Sequence, residues 1–564
     1  MGVILNYSCK SLFRKLFRDS SILAVNRATI GKASSTKTDF TRVSTAEKEN
    51  NQRPMTKSFR ADRFWDKRAP EEYRGNQLRL LKRYLREQVL PFSPYYRKLF
   101  DESGLHAGSF KSISDLEKLP LTCKADIAPT ADDPRKPRNI VLQPNAELIR
   151  EHWPLSKKLP LLWKKTICGA EAVQDSLAEE YRPVSVFFTT GRSALPTAFT
   201  LSQYDLSILK ESGRRIAEVA DIDRNEDKII SLFPYAPHLA FWQVFYVGLG
   251  GNIFTLNTGG GKVMGTEGIL QAIQKMQPAY LAGIPGYVYH LLREAHAQGL
   301  DLGYIKGLAL GGDAVTPGYR ERVKELLRGL GSTDPCVLSV LGFTESRKCW
   351  VECRAEAEGG FHLYPDLEIV EIVDPDTGKQ LGEGETGELV YTCLDGRAST
   401  ILRYRTGDII VGGMTWEKCP GCGRTVQRMS SHLERVSNMK DFQLSKVKGT
   451  LVNLNLFKEE LDKDERVEEW QLVIKKKDDD PYGIDEIHLN LALASQCAGE
   501  DKGKITESIG NRLRLATEVS LNDIHLISLE RILELLGMET QLKEKRIVDL
   551  RSGGGKANEE TVKG

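Results

Sequence analysis

The sequence predicts an α/β protein, and three changes of texture along the chain carry that expectation. Between Lys228 and Leu310 strand-like runs alternate with helical ones. From Leu367 the pattern turns to hairpins, and beyond about Ser430 a smaller mixed unit begins. Repeated strand–helix–strand units build a largely parallel sheet with helices on its faces, whereas hairpins build antiparallel sheet. The expected layout is a disordered or targeting leader over 1–54, a large domain over 55–430, a small α+β domain over 431–551 and a disordered tail over 552–564. The large domain should combine mostly parallel sheets with an antiparallel β subdomain.

The leader stands apart by charge. Up to Lys37 it carries Lys10, Arg14, Lys15, Arg18, Arg27, Lys32 and Lys37 against the single acid Asp19. Leu12, Phe13, Leu16 and Phe17 fall on one side of a basic amphipathic helix. That suits an organellar transit segment, a disordered leader, or a start assigned too early, since Met55 can itself initiate. Gly2 invites myristoylation, but Asn6 stands where that motif needs Ser or Thr.

A helix is expected from Tyr73 to Val89, with Leu78, Leu81, Leu85 and Val89 on one side and Pro91 ending it. Lys118 to Arg150 reads as irregular structure and short helices. Then Val184 to Phe188 runs into the small-residue loop Thr189-Thr190-Gly191-Arg192-Ser193-Ala194, and Thr197 to Thr200 leads out. Glycine and hydroxyl residues let backbone N–H groups approach an anion, phosphate above all. The same residues equally suit an ordinary hairpin turn. A P-loop is excluded, because no Gly-Lys-Ser/Thr follows and the exit is a strand.

Ser202 and Asp205 form an S-x-x-D start for a helix towards Ala220. Strands follow at 228–233, 251–256, 279–283 and 307–310, separated by helices at 240–247, 266–276 and 287–297. Glu368 to Val373, the turn at Asp374–Gly378 and Gly387 to Thr392 read as an antiparallel pair. In the last unit, Leu456 to Leu461 reads as a helix, and Trp470 to Ile474 and Ile487 to Leu491 as strands.

Composition narrows the function classes. Lys+Arg 79 against Asp+Glu 77 leaves no global excess for nucleic acid, and 40% hydrophobic residues suit a globular chain. No uninterrupted apolar run reaches the roughly 18 residues that a membrane span needs. Ten cysteines in 564 residues do not make a disulfide framework, so a reducing compartment is expected. The localisation read from this is cytoplasmic, with organellar import if the leader is genuine.

Four further turns line up with the Thr189 loop. They are Leu310-Gly311-Gly312-Asp313-Ala314, Leu341-Gly342-Phe343-Thr344-Glu345-Ser346, Tyr404-Arg405-Thr406-Gly407-Asp408, and the basic stretch Lys543 to Arg551. Each alone suits a solvated turn or charge run. Their order resembles the adenylate-forming (acyl-CoA synthetase/luciferase-type) superfamily, and most closely its phenylacetate–CoA ligase-like branch. The resemblance covers roughly Phe64 to Arg551 and is strongest at Gly342–Glu345 and Tyr404–Asp408. Gly283-Ile284-Pro285-Gly286 looks like the turn lining the acyl pocket, and Cys422-Gly423-Arg424-Thr425 is similar to the branch's C-G-R-T.

The resemblance implies ATP-dependent activation of a carboxylic acid to an acyl-adenylate, then transfer to coenzyme A. Thr189, Thr190, Gly191 and Ser193 would hold the β- and γ-phosphates. Gly311, Gly312 and Asp313 would border adenine, with Phe343 stacked on it. Thr344 would touch the α-phosphate, Glu345 would hold Mg²⁺, and Asp408 would accept both ribose hydroxyls. Arg435 is assigned beside the ribose. Lys543, with Lys545 as its competitor, would bridge the substrate carboxylate and the α-phosphate from a small C-terminal domain that swings between half-reactions. Tyr235, His238, Phe241, Gly283, Ile284 and Pro285 would wall a pocket for an aromatic or other apolar acid. Attack of one anion on another needs its charge neutralised by Mg²⁺ and fixed donors, which is why these residue types suit the task.

Some positions depart from the family pattern. Arg192 and Ala194 replace its usual small residues, Leu542 stands where Gly precedes the lysine, and no G-R-x-D-D segment marks the hinge. Transfer to an amine, a hydroxyl or a carrier-protein thiol therefore stays open, as does a non-catalytic nucleotide-binding protein. A homodimer is also open. Finally, Cys419-Pro420-Gly421-Cys422 has half-knuckle spacing, and Cys353 with His362 would complete a closed, structural zinc set, with Cys349 as a substitute ligand. Reduced thiols in a turn are the other reading.

Overall fold

The computed structural model describes residues 59–550, apart from 131, 190–195, 436–445, 448–449, 452–453, 477–484, 518 and 538–543. The leader and the tail lie outside the described residues.

The first helix, α1 (Pro70–Tyr84), starts earlier than expected, with Pro70 fixing its first turn. It does not stop before Pro91. A π-helical turn over Leu85–Val89 carries it into a last turn, Leu90–Phe92. Pro91 cannot donate to the carbonyl of Glu87, and the Trp153 indole N–H takes that place at 2.7 Å. A distant side chain thus supplies what proline lacks.

Helix α2 (Leu155–Tyr181) was not anticipated. It contains Pro160 and is kinked at Gly169 (φ 88°, ψ 171°). The hairpin is as expected, with β1 (Ser185–Phe188) antiparallel to β2 (Ala198–Leu201). It leads into α3 (Gln203–Val219), whose capping box forms as the spacing predicts. Ser202 Oγ accepts from the Asp205 N–H at 3.3 Å, and Asp205 Oδ2 accepts from the Ser202 N–H at 2.9 Å. Asp205 has further ties. Its carboxylate also accepts from the N–H groups of Arg397 and Ala398 at 3.0 and 2.9 Å, and Arg347 lies 3.2 Å away.

The alternating region forms one six-stranded sheet. Its strands are β3 (Lys228–Ser231), β4 (Phe254–Asn257), β5 (Tyr280–Gly283), β6 (Gly307–Gly311), β7 (Cys336–Phe343) and β8 (Lys348–Val351), in the order β4-β3-β5-β6-β7-β8. All neighbours run parallel except β7 and β8. The crossovers are α4 (Leu239–Gly251), α5 (Gly261–Met276), α6 (Pro285–Ala297) and α7 (Pro317–Gly329). Gly251 closes α4 and does not open β4, because Asn252 takes a left-handed cap (φ 56°). Both faces are buried: Ile229 and Leu338 join one core, while their neighbours Ile230 and Val337 join the other. That is the two-sided burial of a parallel sheet with a side-chain period of two.

The hairpin region supplies β9 (Phe361–His362), β10 (Glu368–Val373), β11 (Gly387–Cys393), β12 (Tyr404–Ile410), β13 (Met414–Thr415), β14 (Arg428–Met429) and β15 (Leu433–Arg435). They form the antiparallel sheets β10-β11-β12-β15 and β13-β14-β9. Arg215 of α3 ties this region to the rest. Fully buried, it pairs with Glu211 at 2.8 Å and with both Asp366 oxygens at 2.6 and 2.8 Å, and its guanidinium lies 4.6 Å from the centre of the Trp65 ring. A buried cation needs such full pairing, and cutting one partner costs about 3–5 kcal/mol.

After a short ribbon, β16 (Lys446–Val447) with β17 (Thr450–Leu451), comes a compact α+β unit. It contains α8 (Leu454–Asp462), β18 (Val467–Lys476), β19 (Asp485–Leu493), α9 (Lys502–Thr517), β20 (Asp523–Leu526), α10 (Leu529–Leu536) and β21 (Ile547–Asp549). Its sheet order is β20-β19-β18-β21. Phe457, Leu472, Ile487, Leu489 and Ile509 form a core separate from the two above.

Candidate active site

The expected corners sit at the carboxyl ends of the parallel strands, where open α/β sheets hold ligands. Phe233 to Tyr235 follow β3, Ile284 and Pro285 follow β5, Gly312 and Asp313 follow β6, and Thr344 and Glu345 follow β7. The connection from β3 runs to β4 on one side and that from β5 runs to β6 on the other, so the pocket turns after β3 and β5 lie at a topological switch point.

Hydrogen bonds join these corners to the hairpin. The Phe188 carbonyl, at the end of β1, accepts from Thr344 Oγ1 at 3.4 Å and from His238 Nδ1 at 2.9 Å. A carbonyl oxygen only accepts, so Nδ1 of His238 carries a proton. Thr189 is held by a reciprocal pair with Thr197, its N–H donating to the Thr197 carbonyl and its Oγ1 accepting from the Thr197 N–H. Thr190, Gly191 and Ser193 lie outside the described residues, as do Arg192 and Ala194.

The Tyr404–Asp408 segment meets the Thr344–Glu345 corner directly. The Tyr404 hydroxyl donates to Glu345 Oε1 at 2.8 Å, across 59 positions of sequence. Burial raises the Glu345 carboxyl above its usual range, with the Tyr404 bond and nearby Lys124 working against that rise. Tyr404 itself is pushed far up by burial and by Glu345, so it stays a donor. Sequence reasoning quoted Tyr404 but gave it no role. Asp408 is buried on β12, and its N–H donates to Thr406 Oγ1 at 3.1 Å. Gly407 between them adopts φ 76°, a turn that a side chain would strain. Arg435 pairs with Asp408 across β12 and β15; its side chain lies outside the described residues.

Phe343 is held from behind. Its ring sits 5.5 Å from Tyr391 and 5.8 Å from Trp350, both edge-to-face. Trp350 Nε1 in turn donates to Glu368 at 2.6 Å, with Lys348 3.4 Å from the same carboxylate. On the pocket side, Tyr235, Phe241 and Trp242 form an edge-to-face cluster with centroids 5.3–6.1 Å apart. Tyr235 is 66% exposed, whereas Gly283, Ile284 and Pro285 are buried.

The C-terminal unit touches these corners. Lys458 on α8 lies 3.3 Å from Asp313 Oδ2 and donates to the Ala314 carbonyl, a contact no sequence pattern announced. Thr316, which caps α7, donates to Asp462 at 3.3 Å. Glu544 packs so closely on Gly286, at the start of α6, that no Cβ fits there. Arg546 holds Glu544 at 2.7 Å. Lys543 lies outside the described residues; Lys545 is exposed, its backbone bonded to Leu536 and Gln471.

Away from this cleft, Cys353, His362, Cys419 and Cys422 converge as the spacing suggested. Their ligand atoms all lie within 4.8 Å of one another. Cys353 Sγ is 3.6 Å from Cys419 Sγ, and His362 Nε2 is 3.1 Å from Cys422 Sγ. His362 Nδ1 donates to the Gly360 carbonyl at 3.2 Å, which turns Nε2 towards the sulfurs. The hydrogen bond from Cys353, helped by His362, lowers the Cys422 thiol and raises that of Cys353. Burial pulls His362 down, but the Cys419 and Cys422 sulfurs outweigh it and raise it. Gly421 sits against Ala355 with no room for a side chain. Cys349 is not in the set. It lies on β8 opposite Gly342, and burial lifts its thiol to about 12.

Comparison with known proteins adds a family. Residues 121–393 match the family described as AMP-binding enzyme. The phenylacetate-coenzyme A ligase of Thermus thermophilus is 30% identical over 388 residues, which cover 65% of this chain and 72% of that protein. The Escherichia coli phenylacetate-coenzyme A ligase is 25% identical over 489 residues, covering 81% and 91%. Among solved structures, 2-hydroxyisobutyryl-CoA ligase in its postadenylation state is similar in fold, with a TM-score of 0.65, 18% identity, and coverage of 86% of this chain and 91% of that one.

Proposed function

The chain belongs to the AMP-binding enzymes, in the phenylacetate–CoA ligase-like branch of the adenylate-forming superfamily, and from that premise we propose that it is an AMP-forming acid–CoA ligase. The carboxylate of the acid attacks the α-phosphate of ATP, pyrophosphate leaves, and the thiol of coenzyme A then displaces AMP from the acyl carbon. One observation carries the reading: the Tyr404–Glu345 hydrogen bond brings the Tyr-Arg-Thr-Gly-Asp segment and the Phe-Thr-Glu turn to a single corner at the end of β7.

In this reading Thr344 contacts the α-phosphate, Phe343 stacks on adenine beside Gly311, Gly312 and Asp313, and Asp408 takes the ribose hydroxyls. Glu345 suits Mg²⁺: Tyr404 occupies Oε1 and leaves Oε2 as a hard oxygen donor. The ion would supply charge neutralisation at the phosphates. Thr189 anchors the base of the hairpin; with it, Thr190, Gly191 and Ser193 are assigned to the β- and γ-phosphates, and Arg435 to the ribose.

Lys543 bridges the two anions, and the position of its neighbour Glu544 against Gly286 supports this, since Gly286 closes the acyl-pocket turn. Of the stretch 431–551, the α+β unit from α8 onwards is the mobile domain that carries it, while β15 stays with the β12 sheet. The aromatic wall of Tyr235, Phe241 and Trp242, with His238 at its base, favours an aromatic or other apolar acid. The Cys₃His set has the soft, closed donor complement of structural Zn²⁺.

ATP–pyrophosphate exchange across a panel of carboxylic acids tests the reading, followed by thioester detection on adding coenzyme A. Exchange with an aromatic acid, lost in Lys543→Ala with an unchanged melting temperature, is the expected result. No exchange with any acid would sink the proposal, and exchange without a thioester would move the acceptor to an amine, a hydroxyl or a carrier protein.

A further inference from the structure

Helix α2 changes character at the Gly169 kink. From 153 to 170 the only charged residues are Lys157, Lys158, Lys164 and Lys165; from 171 to 181 they are Glu171, Asp175, Glu179 and Glu180. The basic half also carries five large apolar side chains, Leu155, Leu159, Leu162, Trp163 and Ile167, which are 52–72% exposed. Among the described residues no other segment exposes so many in so short a stretch.

Their placement is ordered. At 100° per residue the five fall within an arc of about 140°. Leu161, near the middle of the opposite arc, packs against the buried cluster of Phe92, Trp153 and Tyr181. The helix therefore sits on the protein by its Leu161 side and turns its apolar stripe directly outwards. The lysines flank that stripe. Lys157 is held by Glu87 at 3.2 Å, which leaves Lys158, Lys164 and Lys165 to set the charge along the two edges.

We propose that the 155–168 half of α2 is a membrane-contact helix, lying in the headgroup layer of an anionic bilayer with Trp163 and its apolar neighbours inserted. An apolar stripe edged by lysine and centred on tryptophan is the composition that partitions into a bilayer interface. Fourteen residues span about 21 Å, too short to cross the hydrocarbon, so the helix lies on the membrane. The acid-free stretch selects the partner, since a positive rim complements phosphatidylserine-type headgroups. The inference does not depend on the ligase reading.

Co-flotation of the full-length protein with phosphatidylcholine vesicles, with and without phosphatidylserine, tests it. Flotation with the anionic vesicles is expected. The double variant Trp163→Ser/Ile167→Ser should weaken it by about tenfold or more, and Lys164→Glu/Lys165→Glu should remove the preference for anionic lipid. Both variants should keep the melting temperature of the unmodified protein, because they alter exposed positions. No flotation, or flotation that neither variant changes, would overturn the proposal. So would a dimer, seen by light scattering, that Trp163→Ser/Ile167→Ser disperses, because the stripe would then cover a second copy.

Discussion

The Cys353–His362–Cys419–Cys422 cluster and the Glu345–Tyr404 corner each gather ionisable groups from distant segments, but they treat charge in opposite ways. At the cluster, the hydrogen bond from Cys353 and the neighbouring imidazole lower the Cys422 thiol while raising that of Cys353, so the groups share one negative charge among themselves. At the corner, burial pushes Glu345 up, so its negative charge is held against resistance. The first is a closed donor set that satisfies itself and suits a structural ion. The second has an unspent demand for a cation, which suits a site where charge must be supplied during a reaction.

Replacing the carboxylate at the open corner should give the largest effect. Glu345→Gln is expected to slow ATP–pyrophosphate exchange about 100- to 1,000-fold. Its effect on stability should have the opposite sign. Because the folded-state pKa is raised, ionised Glu345 is a burden at neutral pH that eases as pH falls through that value; the neutral amide removes it. Thermal melts at pH 7 should therefore show Glu345→Gln as stable as the unmodified protein or more so. A large loss of melting temperature would make Glu345 a structural residue and erase the contrast.

The closed set predicts the reverse pattern. Cys419→Ser should weaken zinc binding by at least about 100-fold, roughly 2.7 kcal/mol, and lower the melting temperature accordingly. Metal analysis of the purified protein and its variant checks this. Absence of stoichiometric zinc from the unmodified protein would leave four thiol and imidazole groups in a turn and nothing more.

Gly286→Ala sharpens the picture at the seam between the corner and the C-terminal unit. The added methyl meets Glu544, whose side chain is 6% exposed and held by Arg546. Exchange should fall by about tenfold, with the loss in kcat and little in the KM for ATP, since a small misplacement of the docked unit is enough. An unchanged kcat would separate this contact from catalysis.

The smallest effect lies far from both sites. Burial alone would raise Asp464, but Arg466 at 2.9 Å and Arg512 at 2.6 Å overcome it and lower its carboxyl to about 2. A depressed folded pKa stabilises above the unfolded value, near 3.9, and the benefit is lost as pH falls towards 2. Asp464→Asn should cost about 1–2 kcal/mol at pH 7 and almost nothing at pH 2, as acid melts of the two proteins would show.

Where sequence reasoning succeeded and failed follows from range. The Cys-Pro-Gly-Cys spacing is local, and Cys353 and His362 stand only nine positions apart, on the other side of the hairpin region, so the cluster was legible. The capping box at Ser202 and the parallel strands were legible for the same reason. The Tyr404–Glu345 bond was not, because it spans 59 residues and depends on the start of β12 meeting the end of β7. Helix α2 was missed because Pro160 and Gly169 interrupt it and its apolar stripe faces away from any core. Pro91 misled in the other direction: it lies inside a helical run only because Trp153 occupies the carbonyl it cannot serve.

Asp205 has one more consequence. A single carboxylate starts α3, fixes the backbone at Arg397 and Ala398, and meets Arg347 three residues past Thr344. These pieces therefore cannot fray one at a time. Amide protons along the start of α3, at Ala398 and around Arg347 should exchange with deuterium at a common rate, as one cooperative block, and Asp205→Asn should loosen all of them together.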